Sequence, residues 1–207
     1  MIQIFKRPVL LIILFLGLYS MNAQKKAFNK GYLVKQSGDT IQGLVKDRST
    51  GTFVSLYTKI RFKEAGSSRT KKYGPDDILG YGYHGQNFVS MPFREEIDFF
   101  KFRYYTDSRA PRVFLKVVRK SEQLIYFEQL FVHEDSSYLD STPFFYRPDT
   151  SELVRVTQGI LGFKRKRLAE YFSDCPALAQ ELYGDDRTIG SISDLYEFCL
   201  ERCIANQ

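Results

Sequence analysis

The sequence predicts an α+β protein, an antiparallel β-sheet or partly open barrel followed by two or three C-terminal helices. Two observations carry this. From Gly31 to about Val156 the apolar residues come in short runs of Val, Ile, Phe and Tyr broken by turn residues, and after Gly162 their period lengthens from two to 3.6. Composition agrees with a folded chain. Of 207 residues, 43% are hydrophobic and 15% aromatic, too many for a disordered protein, and no self-similar period marks a solenoid.

The first 23 residues stand outside that fold. Lys6-Arg7 precede an uncharged apolar run from Pro8 to Ser20, and the small residue Ala23 closes the segment. This order reads as a secretory signal peptide, because a spanning helix needs about 20 apolar residues. Cysteine is absent near the cleavage point, so nothing indicates a lipoprotein. Removing these 23 residues, two of them basic and none acidic, leaves 184 residues with net charge +4 in place of +6. The expectation is an exported protein, periplasmic or on the surface of a Gram-negative cell. Its β-domain spans 24–158 and a helical segment packed on it spans 159–207, with no membrane-spanning segment after processing.

Tyr32 to Gln36 and Thr40 to Val45 flank Ser37-Gly38-Asp39, a hairpin in which Gly38 can take positive φ. Thr52 to Lys63 offers one strand or two, with Thr58, Ile60 and Phe62 alternating against Lys59 and Arg61. Ile97 to Tyr105 reads as a single strand placing Phe100, Phe102 and Tyr104 in the core. Val113 to Val118 and Leu124 to Leu130 make a second hairpin around Arg119 to Gln123, a loop without Gly and suited to a type I turn.

Helices follow. Phe163 to Phe172 presents Leu168, Tyr171 and Phe172 to the core, and Pro176 fits the first turn of a helix ending near Gly184. The last helix carries one apolar stripe from Ile192 to Ile204, with Ser191 or Ser193 as its cap and Asp194 in its first turn. Cys199 and Cys203 lie one turn apart on that stripe, about 5–6 Å between Cβ atoms and too far for a bridge. Three packed thiols suit the stripe; a bridge from Cys175 to Cys199 or Cys203 is the alternative, which export permits.

The residues Gly31-Tyr-Leu-Val, then Gly38-Asp-Thr-Ile-Gln-Gly-Leu-Val45, and later Tyr171-Phe-Ser-Asp-Cys-Pro-Ala-Leu178 resemble a group of secreted Bacteroidota proteins. The resemblance implies export from a Gram-negative cell. It brings no activity and no catalytic residue. The second hairpin departs from the group, with Ser121-Glu122 where a Gly is expected.

Signals for chemistry are few. Gly80-Tyr-Gly-Tyr-His-Gly85 matches the dinucleotide fingerprint, but strand-like residues and Pro92 follow it where a helix is required. Glycines easing a bulge or a tight turn between strands explain it better. His84 and His133 sit in no metal-spacing motif, and no G-x-S-x-G elbow occurs. No cofactor, metal or nucleic-acid partner is expected. The acidic groups Asp76-Asp77, Glu95-Glu96-Ile-Asp98 and Asp185-Asp186 read as solvated turns. The densest charge feature is Lys164-Arg165-Lys166-Arg167, a candidate anion-binding run. The functional expectation is a non-enzymatic envelope module that binds an acidic glycan or another protein. The alternative is a small periplasmic enzyme working on a glycan or peptide through carboxylates the sequence does not identify.

Overall fold

The computed structural model describes residues 27–47, 59–99, 101–132, 139–185 and 188–204. The expected signal peptide (residues 1–23), Thr58, Phe100, His133 and Asp186 lie outside them. Among the described residues twelve strands precede the helices: β1 (Asn29–Lys35), β2 (Thr40–Lys46), β3 (Ile60–Glu64), β4 (Lys71–Tyr73), β5 (Ile78–Tyr83) and β6 (Gln86–Pro92). After them come β7 (Arg94–Asp98), β8 (Lys101–Tyr105), β9 (Arg112–Lys120), β10 (Ile125–Val132), β11 (Leu139–Tyr146) and β12 (Glu152–Arg155). They form one antiparallel sheet in the order β4-β3-β2-β1-β5-β6-β9-β10-β11-β12-β8-β7. Strand far outweighs helix, so α+β describes the protein only coarsely.

The order contains one excursion. β7 and β8 fall between β6 and β9 in sequence, yet they pair beyond β12 at the far edge. Only Phe93 joins β6 to β7. One residue advances the chain by no more than about 3.8 Å, so the far edge must return close to β6. The sheet therefore curls, though its edge strands β4 and β7 do not pair with each other. Inside the curl Phe93 meets Tyr104 and Phe144, with ring centroids 5.6 and 5.4 Å away, and Leu115, Phe127 and Leu153 complete this core.

The G-x-G-x-x-G residues fall in a hairpin. His84 (φ 50°) and Gly85 (φ 73°) are the two turn residues between β5 and β6, the paired positive φ values of a two-residue hairpin turn. Gly82 makes room for the Tyr32 ring, which a Cβ there would approach to 2.5 Å. Tyr32 Oη in turn donates to Asn87 Oδ1 at 2.6 Å. In the β9–β10 loop Ser121 stands where the group would have a glycine. Its hydroxyl accepts from the Leu124 amide at 2.9 Å while its own amide donates to the Leu124 carbonyl, also at 2.9 Å.

Ile97 to Tyr105 is not one strand. The chain reverses at Phe99 (φ 40°), so Asp98 faces Lys101 and Ile97 faces Phe102 across a hairpin. Of the two described residues of the expected face, Tyr104 is buried, whereas Phe102 at the sheet edge is 37% exposed.

Three helices cover one face of β10–β12: α1 (Arg165–Tyr171), α2 (Pro176–Tyr183) and α3 (Ile192–Phe198), the last continued by π-type turns over Cys199–Ile204. Ser191 caps α3: its hydroxyl accepts from the Asp194 amide at 3.1 Å, and Asp194 accepts from the Ser191 amide at 2.9 Å. Tyr196 donates to the Leu124 carbonyl at 2.9 Å and Arg119 pairs with Glu197, which fasten α3 to the second hairpin. Tyr171 hangs α1 on the sheet, accepting from the Arg147 amide at 2.9 Å and donating to the Glu152 carbonyl at 3.0 Å. Burial pushes its phenol up to about 12.

The cysteines take the bridged arrangement in place of three packed thiols. Cys175, just ahead of α2, is bonded to Cys203, with Cα atoms 5.0 Å apart. Cys199 stays free and buried, and burial pushes its thiol up to about 12. Cys203 lies in the π-type turns and Cys175 immediately precedes α2, so the bridge is one of the two pairings the sequence left open.

Candidate anion-binding surface

The expected basic run does not act as one cluster. Arg167 turns back to the sheet and forms ion pairs with Glu152 and, at 2.7 Å, with Glu170. Lys164 lies over the Phe102 ring, 5.7 Å from its centroid, and burial together with Arg155 and Arg167 lowers its pKa. Only Arg165 and Lys166 face solvent.

A larger cationic feature lies at the other edge of the sheet. Cross-strand partners share a face, about 4.5–5.5 Å apart. The register sets Lys46 opposite Arg61 and Arg61 opposite Lys72, a row of cations crossing β2, β3 and β4. The neighbouring row holds Lys30, Leu44 and Lys63. Alternation along β2 and β3 puts both rows on one face, about 7 Å apart. The opposite face is apolar, with Leu33, Val45, Ile60 and Phe62 buried. Among these four strands the one acid is Glu64, which alternates with Ile60 and Phe62 and so belongs to that other face. Like charges directly opposite each other destabilise a sheet. A row of three without an acid between them gains most when an anion lies along it.

The alternation of Lys59, Arg61 and Lys63 with Ile60 and Phe62 was readable in the sequence. What it lacked was register, because Lys46 and Lys72 come from strands whose pairing the spacing does not determine.

Carboxylates line several clefts, among them one of about 250 Å³ whose lining includes Tyr126, Glu128, Asp140 and Arg155. Both Glu128 oxygens are already engaged, Oε2 by Lys116 Nζ at 2.8 Å and Oε1 by Tyr126 Oη at 3.1 Å. Asp140 Oδ1 accepts from the Ser141 amide at 2.7 Å, and Arg155 Nε donates to the Thr157 carbonyl at 2.9 Å. These side chains brace strands. The other expected acids are turn and edge residues: Asp77 Oδ2 accepts from the Gly74 amide at 2.7 Å, and Glu95, Glu96 and Asp98 lie on the exposed edge strand β7.

No residues of the described part group as a metal site, and no described helix is long and apolar enough to cross a membrane. Compared with known proteins, the chain matches no protein-family model, no curated protein and no solved structure.

Proposed function

We propose that this is an exported envelope module, non-enzymatic, that binds an acidic polymer along the Lys46-Arg61-Lys72 face. The observation carrying the proposal is the row itself, in which the described strands set no acid opposite Lys46, Arg61 or Lys72, reinforced by Lys30 and Lys63. A linear polyanion with a charge on each repeat can lie across the strands and meet these cations in succession. Export rests on the order of Lys6-Arg7, the Pro8 to Ser20 run and Ala23. In the Glu128 cleft, one place the enzymatic alternative could use, the Glu128 oxygens are already taken up by Lys116 and Tyr126.

Each part has its own test. Intact-mass measurement on protein from a Gram-negative host should show a chain beginning at Gln24; recovery of the full-length chain in the inner membrane would contradict export. Binding to alginate, a polyuronate, should fall with salt, since exposed charges are screened. The triple substitution Lys46→Ser, Arg61→Ser and Lys72→Ser should cost about 1.4–2.7 kcal/mol, roughly tenfold to a hundredfold in affinity. These side chains border solvent, so the fold should persist.

A further inference from the structure

The hairpin of β7 and β8, at the edge away from the cationic rows, presents apolar side chains to water. Phe99 at its tip is 90% exposed and Ile97 is 67% exposed. Ile97 and Phe102 are cross-strand partners, so they share a face that runs toward the tip. Phe99 also holds φ 40°, a conformation that glycine or asparagine adopts more readily. The turn holds a bulky aromatic in that conformation and exposes it to water.

Cations surround this tip. Lys101 follows it directly, and Lys164 sits over Phe102, which brings the exposed Arg165 and Lys166 of α1 to the same side of the hairpin. The acids of β7 are partly answered: Asp98 lies opposite Lys101, Glu96 pairs with Arg94 toward the root of the hairpin, and Glu95, two residues from Ile97, lies in the field of Lys164. A projecting apolar tip with a basic collar suits a soft, negatively charged interface. There aromatic rings enter the headgroup region and Lys or Arg meet lipid phosphates. We propose that the β7–β8 hairpin docks the protein on a bilayer containing anionic lipid, with Phe99 inserted and Lys101, Arg165 and Lys166 on the headgroups. This surface is separate from the polymer-binding face and does not depend on it.

The chain has no Trp, so Phe99→Trp supplies a single fluorescent reporter. Vesicles of phosphatidylcholine with phosphatidylglycerol should shift its emission to the blue, and lipids brominated in the acyl chain should quench it. Pure phosphatidylcholine vesicles should do neither to a comparable extent. Phe99→Ser should weaken sedimentation with the anionic vesicles roughly tenfold, as the loss of one buried aromatic implies. The variant with Ser at Lys46, Arg61 and Lys72 should keep the blue shift when it also carries Phe99→Trp. Emission unchanged by anionic vesicles, equal binding to neutral ones, or undiminished binding by Phe99→Ser would each overturn the proposal. A blue shift that needs an added envelope protein would reassign the hairpin to a protein partner and overturn it equally.

Discussion

Cys203→Ala should lower the stability of the oxidised protein by about 3–4 kcal/mol, the loop-closure value for a bridge of this span. The bridge to Cys175 encloses a sequence separation of 28 residues, including α2 and α3. It therefore restrains the helices that cover β10–β12 when the chain unfolds. For a domain of this size the loss corresponds to roughly 10 °C in melting temperature. Reductant should lower the parent to nearly the same value and leave the variant little changed. A thiol assay on unreduced, denatured protein should find one reactive group, Cys199. Three reactive thiols, or a parent indifferent to reductant, would show that the cysteines are packed and unjoined.

Phe145→Ala should cost about 3–5 kcal/mol, the range for removing a large aromatic from a core. Phe145 is fully buried on β11, where its ring meets Tyr126 and Tyr196 edge-on at centroid distances of 5.6 and 5.8 Å. Those two rings belong to the sheet and to α3, so the cavity opens at the seam between them. Urea unfolding should show a lower midpoint with an unchanged slope. Phe99→Ala provides the contrast, an exposed aromatic whose loss should move stability by no more than about 0.5 kcal/mol. A cost below about 1 kcal/mol for Phe145→Ala would mean that the helices do not rest on this face.

What was legible in the sequence is what local chemistry decides. The Gly38 hairpin, Pro176 in the first turn of α2 and Ser191 with Asp194 on α3 all follow from backbone preferences of a few residues. The β7–β8 hairpin escaped because nothing between Asp98 and Lys101 is a turn residue, and Ile97 to Tyr105 keeps period two on both sides of the reversal. Its place beside β12 escaped for another reason: a non-local pairing leaves no trace in spacing. The same limit governs the candidate site. Lys164 to Arg167 drew notice because the four are contiguous, yet helix geometry turns Arg167 to Glu152 and Glu170 and lays Lys164 on Phe102. The row that stays open is built from three strands, where only register brings Lys46, Arg61 and Lys72 together.

The two basic surfaces can be separated by one titration of alginate at low and high salt. The parent is compared with the variant bearing Ser at Lys46, Arg61 and Lys72, and with the variant bearing Ser at Arg165 and Lys166. Affinity should drop roughly tenfold or more in the first variant, together with most of its salt dependence, and stay near the parent value in the second. Parent-like binding by the first variant, with the loss appearing in the second, would move polymer recognition to α1 and contradict the assignment to the β2–β3–β4 face.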